Sequence, residues 1–311
     1  MDQEIELRHL RYFIAVAQEL HFGRAALRLN LSQPPLSQQI RRLEELLGYP
    51  LFVRTSRAVK LTNAGEVFLE RAQRTLLKMD EDLQATRSVA RGEAGSLTVG
   101  FIGSGMLTRL PAMLGQYRAR FPKVNLHLRE YHTSGVIRAL KDGSLDVGIL
   151  RDGGPVDGLE VETLFEEPFD AVLPAKHPLA KQSARRAFEV GALRNEPFVF
   201  FSPTAGARAY ERPISLCVAA GFRPRVVQEA PQWLTILRLV GAGLGVSIAP
   251  ACVERIRTPE VACLRLRMSP GSAEAKSEIE LAWRAGENQP IVETFCRMAR
   301  EKLRSRELRA G

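Results

Sequence analysis

The chain has 311 residues, 45% of them hydrophobic, which suffices for buried cores in two or three domains of roughly 100–200 residues each. Its formal net charge of +9 and pI of about 9.7 suit a polyanionic partner without requiring one. The acidic start, Met-Asp-Gln-Glu-Ile-Glu, is unlike a signal peptide, and the most apolar stretch, 234–250, is broken by Arg238 and three glycines. Export, a periplasmic carrier role and a membrane partner are therefore not expected, and a cytoplasmic location is.

The first helix presents Leu7, Leu10, Phe13, Ile14 and Ala17 on one face. Residues 23–60 carry the most specific pattern. A short helix, a tight turn and a second helix would bury Ala25, Ala26, Leu29, Leu36, Ile40, Leu43 and Leu47 together. Gln33, Ser37, Gln38, Arg41 and Arg42 then face outward, side chains suited to base edges and phosphates. Ser32 is expected as the N-cap, its hydroxyl accepting a free first-turn amide. Pro34 and Pro35 fall where helix amides lack partners, and Gly48 stops the helix. Leu51 to Leu61, with Arg54, Arg57 and Lys60 interleaved, reads as a short basic hairpin wing. Segment 1–61 is thus expected to be a winged helix-turn-helix that docks in the major groove of double-stranded DNA.

Thr62 can cap a helix running to about Arg91. Leu69, Leu76, Leu83 and Ala90 form one seven-residue register, and Ala72, Met79 and Thr86 the alternate one. So narrow a stripe on a helix of roughly 45 Å calls for a partner helix, so segment 62–91 predicts dimerisation. Arg91 to Ser96 has the composition of a hinge.

Residues 92–311 alternate apolar runs with amphipathic stretches, the mark of an α/β domain. Strands are expected over 97–102, 125–131, 147–150, 169–174, 198–201, 225–229, 246–249, 261–266 and 278–283. Helices are expected near 107–120, 134–142, 207–220, 232–242 and 290–305. This order suggests two lobes with two crossovers: lobe I from 92–167 and 269–311, lobe II from 168–268. The arginines and lysine of the tail (Arg297, Arg300, Lys302, Arg304, Arg306, Arg309) read as a solvated helix face.

In such folds ligands sit where strands end and helices begin. Gly103-Ser104-Gly105-Met106, His132-Thr133-Ser134-Gly135 and Ser202 to Arg208 all occupy such positions. Each alone is an ordinary helix cap; three at equivalent places point to a cleft that takes a small organic anion. Gly103, Ser104, Thr133, Ser202, Thr204 and Arg208 are its candidate contacts. Arg151, ending the strand after Asp146, is either a carboxylate partner or a surface arginine. Gln232 and Trp233 open the helix on the lobe II wall, where Trp233 also suits the core.

Catalysis finds little support. His9, His21, His127, His132 and His177 lack catalytic or metal-ligand spacing, so neither catalytic residues nor a metal is expected. The Gly100–Gly105 and Gly241–Gly245 repeats are not dinucleotide fingerprints and read as turns, and no cofactor is implied. Cys217, Cys252, Cys263 and Cys296 contain no CxxC pair and are expected as buried free thiols.

Together these features resemble a LysR-type transcriptional regulator over essentially the whole chain. The resemblance is carried by Leu10-Arg-Tyr-Phe-Ile-Ala-Val-Ala17, Leu31-Ser-Gln-Pro-Pro-Leu-Ser37, Gln39-Ile-Arg-Arg-Leu-Glu44, Leu51-Phe-Val-Arg54 and Leu61-Thr-Asn-Ala-Gly65. Weaker motifs follow in the expected order: Phe121-Pro122, Leu145-Asp-Val-Gly148, Ala175-Lys-His-Pro-Leu179 and Val240-Gly-Ala-Gly-Leu-Gly-Val246. The resemblance implies a homotetramer of paired homodimers bound to an imperfect inverted repeat, with RNA polymerase as a further partner. It maps recognition contacts onto Ser32, Gln33, Pro34, Pro35, Ser37, Gln38 and Arg42, and wing contacts onto Arg54 and Arg57. It maps the effector cleft onto Ser104, Thr133, the 202–208 loop and the 232–233 helix start. Ser104 and Thr133 match the branch that senses acids of aromatic catabolism such as muconate or benzoate. His21 and Gly23 depart from the commoner Ser and Thr, and the 202–208 loop lacks the cysteine of the peroxide-sensing branch.

Overall fold

A computed structural model describes residues 4–55, 58–182, 188–267 and 276–304. The chain divides into two compact units, Met1–Arg87 and Ser88–Gly311.

The first unit contains α1 (Leu7–Glu19), α2 (Phe22–Arg28), α3 (Gln33–Leu47), a hairpin of β1 (Phe52–Arg54) and β2 (Val59–Leu61), and α4 (Asn63–Ala90), whose last residues belong to the second unit. The apolar spacings do what they predict. Phe13, Ala25, Leu36, Ile40 and Leu43 are wholly buried, and Phe13 meets the rings of Phe52 and Phe68 at 5.3 and 5.0 Å between centroids. Gly48 ends α3 in the left-handed conformation, φ +76°, which costs a glycine nothing. Thr62 caps α4, its hydroxyl accepting the Gly65 amide at 2.9 Å. The seam expected along α4 is divided. Phe68, Leu69, Ala72 and Leu76 pack on the unit's own core, whereas Leu77 and Leu83 lie exposed.

β3 (Ala94–Ile102) follows α4 closely, so the connecting segment is shorter than composition suggests, about 91–93. The first lobe comprises β3, α5 (Leu110–Arg120), β4 (Lys123–Tyr131), α6 (Thr133–Lys141), β5 (Val147–Arg151) and β6 (Leu159–Glu167). The second comprises β7 (Phe169–Pro174), α7 (Pro178–Gln182), β8 (Phe188–Glu189), β9 (Pro197–Phe201), α8 (Ala207–Ala219), β10 (Arg225–Ala230), α9 (Trp233–Gly241), β11 (Ser247–Pro250) and β12 (Val261–Arg267). The chain then returns to the first lobe as β13 (Ser277–Arg284) and α10 (Pro290–Leu303).

The lobe I sheet has the order β4-β3-β5-β13-β6, with β3 parallel to both neighbours and β13 antiparallel to β5 and β6. Strand β5 is buried throughout because helices cover both faces of the sheet. Lobe II pairs a β11-β7-β12-β8 sheet with the parallel β10-β9 pair, bridged by Phe198 and Val246.

Strand β6 was absent from the sequence reading. Its register against β13 slips between Ile279 and Glu280, skipping Leu164, and this bulge breaks the alternation that would reveal a strand. The helix expected from 107 starts at Leu110, with Pro111 in its first turn, after a 3-10 turn over Gly103–Leu107. The tail's basic face is exposed at Arg297, Lys302 and Arg304, as expected, and two of its arginines also pair with lobe I: Arg300 reaches Glu162 of β6 at 2.9 Å and lies 5.4 Å from the centre of the Trp283 ring, and Arg304 pairs with Glu162. Arg306 and Arg309 lie outside the described residues.

Candidate nucleic-acid interface and ligand cleft

Helix α3 offers its N-terminal half to solvent. Gln33, Pro34, Pro35, Gln38 and Arg41 are exposed, and Ser37 and Arg42 are half-buried. Ser32 occupies the N-cap position, but its hydroxyl makes no capping bond. The amides such a cap would satisfy belong to the second and third helical residues, and here those are Pro34 and Pro35, which have none. The Ser32 hydroxyl thus stays available beside the side chains of the first turn.

The wing is seated on α3 by Glu44. One carboxylate oxygen accepts the amides of Leu51 and Phe52 at 2.8 and 3.1 Å, and the other pairs with Arg54. The Arg54 guanidinium also lies 4.9 Å over the Phe22 ring, so this arginine is anchored rather than freely extended. Arg42 sits 3.6 Å from Glu45 on the same helix. Arg57 lies outside the described residues.

His21 explains one departure from the family pattern. Its Nδ1 accepts the amides of Gly23 and Arg24 at 3.1 and 3.2 Å and so caps α2 in place of a hydroxyl. A Cβ on residue 23 would lie 3.0 Å from the imidazole Cε1, which accounts for a glycine there.

Between the lobes, the ends of β3, β4 and β5 face the starts of α8 and α9. They enclose a narrow cleft with a cavity volume of about 30 Å³. Of the sequence candidates, Gly103, Ser104, Thr133, Arg151, Gln232 and Trp233 line it. Thr133 begins α6 and Gln232 is the N-cap of α9, so two helix N-termini, one from each lobe, open on the same space. His132, which lies in a candidate segment, joins this wall, and Tyr131, Phe169, Phe201, Ala209, Pro231 and Pro250, which complete much of it, were missed. Phe201 stacks on Trp233 at 5.3 Å and meets His132 edge-on at 6.4 Å. Their adjacency to the 202–208 loop and to Thr133 was the available signal.

Three candidates do not line the cleft. The Ser202 and Thr204 hydroxyls bond to each other at 3.0 Å, and the Thr204 carbonyl accepts from the Ser134 hydroxyl. Arg208 extends instead over the loop after β5, so closely that a Cβ on Gly154 would lie 2.0 Å from its Nη1.

Arg151 is neither a surface arginine nor a free cation. It is 4% exposed and ion-paired with Glu167 at 2.6 Å. Its guanidinium also donates to Ser104 Oγ at 3.0 Å, Ser277 Oγ at 2.6 Å and Cys252 Sγ at 3.4 Å. Thr133 Oγ1 donates to the Arg151 carbonyl at 3.0 Å. Burial opposes charge at Arg151, yet the acidic groups around it hold its pKa above the ordinary value. Cys217, Cys252 and Cys296 are buried and Cys263 half-buried, and burial pushes all four thiols up to about 12.

A helix-turn-helix unit followed by a two-lobed α/β domain with a polar, ring-walled cleft defines a ligand-responsive DNA-binding regulator. Residues 7–66 match the family model for the bacterial regulatory helix-turn-helix protein, lysR family, and residues 90–304 match the LysR substrate binding domain. The chain belongs to the LysR family of transcriptional regulators; it is a DNA-binding protein with an effector-binding domain, and not an enzyme. It is 37% identical over 308 residues to the HTH-type transcriptional regulator AlsR of Bacillus subtilis strain 168, covering 99% of this chain and 100% of AlsR. It is likewise 37% identical over 308 residues to the Hca operon transcriptional activator HcaR of Escherichia coli K12, covering 97% and 99%. The solved structure of CbnR, a LysR family transcriptional regulator, is similar with a TM-score of 0.81 at 30% identity, covering 95% of this chain and 100% of that one. Full-length CbnR complexed with its target DNA is similar at 0.77, covering 96% and 100%.

Proposed function

We propose that this regulator responds to a small organic or aromatic acid bound between its lobes. The observation that carries the reading is the convergence of the α6 and α9 N-termini on one cleft, with an aromatic wall beside them. Partial positive charge at both helix starts favours a carboxylate, and the flat Phe201–Trp233 pair suits a ring or conjugated chain. With Arg151 already paired to Glu167 and the Thr133 hydroxyl already donating to the Arg151 carbonyl, the acid's charge would be met by helix amides and the Ser104 and Gln232 side chains.

On the DNA side, Ser32, Gln33, Pro34, Pro35, Ser37, Gln38 and Arg42 are proposed to enter the major groove, with Arg54 and Arg57 placing the wing against the phosphate backbone. Paired copies would join through the exposed Leu77–Leu83 part of α4, and assembly to a homotetramer in the cytoplasm accords with the family resemblance.

The test is fluorescence anisotropy against the chain's own upstream DNA, with random DNA as competitor, over a salt series. Binding that survives competitor, and that benzoate or cis,cis-muconate shifts, supports the reading. The Gln33→Ala/Arg42→Ala double variant is expected to lose specific binding, with a shallower salt slope. Thr133→Val removes the hydroxyl that ties the start of α6 to the Arg151 carbonyl in the cleft wall and is expected to weaken acid binding by about 1 kcal/mol or more. Unchanged calorimetric affinity for the acid would take Thr133 out of the site.

A further inference from the structure

Arg212 belongs to lobe II, in the middle of α8, yet among the described residues the polar partners of its guanidinium lie in lobe I. Nε is 3.2 Å from Asp152 Oδ1, Nη2 is 2.8 Å from Glu278 Oε2, and Nη1 donates to the Lys276 carbonyl. Asp152 is no ordinary surface acid. It is 2% exposed, holds a left-handed φ of 51°, and lines the cleft next to Arg151. Its amide donates to the Glu278 carbonyl at 3.0 Å, and its carboxylate accepts from the Glu278 amide at 2.8 Å and the Ser277 hydroxyl at 2.9 Å. The same hydroxyl accepts from Arg151, so an unbroken polar chain runs from Ser104 through Arg151, Ser277 and Asp152 to Arg212.

Helix α8 also touches the cleft, through Ala209, one turn before Arg212. Pro213 follows Arg212 inside the helix and brings no amide to the Ala209 carbonyl, so α8 lacks a rung between its cleft-lining turn and its clasping turn. A ligand seated between Ala209 and Asp152 would therefore act on the two ends of one charge contact.

We propose that Arg212 is a positioning residue that helps set the angle between the lobes, and that cleft occupancy is read out as the making or breaking of its contact with Asp152 and Glu278. The clasp itself stands on the geometry; its place in signalling rests on the cleft being the effector site. A reporter amide exists at a second contact between the lobes, where the Ser134 amide of lobe I donates to the Ala205 carbonyl of lobe II at 3.3 Å.

Amide hydrogen exchange on the ligand-free full chain tests the clasp. Arg212→Met keeps the stem and removes the charge. Expected is at least a tenfold faster exchange at Ser134 as well as near residues 152–154 and 276–278, with Arg212→Lys restoring protection at Ser134. Asp152→Asn/Arg212→Met leaves no buried carboxylate unpaired and provides the same comparison if the single variant folds poorly. Faster exchange confined to the immediate neighbours of Arg212, with Ser134 protected as in the unaltered chain, would reduce the clasp to a local ion pair and overturn the proposal. Titrating the unaltered chain with benzoate and with cis,cis-muconate is a separate arm. A changed exchange at 276–278 supports the coupling. Exchange that changes at the cleft walls but not at 276–278 overturns it, and no response anywhere counts against these acids as cleft ligands while leaving the clasp result standing.

Discussion

His9 of α1 and Gln39 of α3 meet at 2.9 Å between Nε2 and Oε1. The imidazole's other nitrogen accepts the Glu6 amide at 3.0 Å, so Nε2 carries the hydrogen and donates to the glutamine oxygen. One buried side chain thus caps α1 and fixes α3 against it. His9→Phe is expected to cost about 1–3 kcal/mol, because two polar groups lose their partner. Gln39→Leu in the same background is expected to cost less than it does alone, which thermal melts of the three variants would check. Strictly additive losses would mean that the two residues act independently.

The capping of α2 by His21 makes a sharper claim about residue 23. Alanine in place of a helical glycine ordinarily gains up to about 1 kcal/mol. Here Gly23→Ala alone is expected to forfeit most of that gain, because the new Cβ meets the imidazole at 3.0 Å. In a His21→Ser background, where the serine hydroxyl takes over the cap, the gain is expected to return. A double-mutant cycle by thermal denaturation measures the coupling, and a coupling near zero would separate the two positions.

Asp170 gives the second unit a pH dependence of definite sign. Burial lifts its carboxyl to about 6, Glu254 and Glu167 push the same way, and Arg265 at 2.9 Å offsets only part. The folded chain therefore holds this proton more tightly than the unfolded chain, whose carboxyl titrates near the ordinary 3.8. The stability it contributes is complete below about pH 4 and is lost as pH rises through about 6, at most about 3 kcal/mol for roughly two pK units. Asp170→Asn is expected to be more stable, relative to the parent, at pH 7 than at pH 4. Parallel melting curves across that range would contradict it.

The sequence by itself determined the helix-turn-helix, the capped linker helix and the α/β alternation. These are recorded by residues a few positions apart, such as the Leu36, Ile40, Leu43 and Leu47 stripe, the Gly48 stop and the Thr62 cap, each acting within one or two turns of chain. The Ser32 hydroxyl was misread as a capping acceptor, although prolines at 34 and 35 have no amide to offer it. Strand β6 was not legible, because a bulge at Leu164 shifts the alternation by which a strand is recognised. The cleft was legible only in part. Ser104, Thr133 and Gln232 follow strand ends, and strand ends are visible as the close of apolar runs. What only the tertiary structure decided is where the charges go. Arg151 meets Glu167, Arg208 swings to Gly154 and Arg212 crosses to Asp152. Long side chains choose partners by proximity and burial in the finished fold, and no local pattern records which residues that fold will bring within 4 Å.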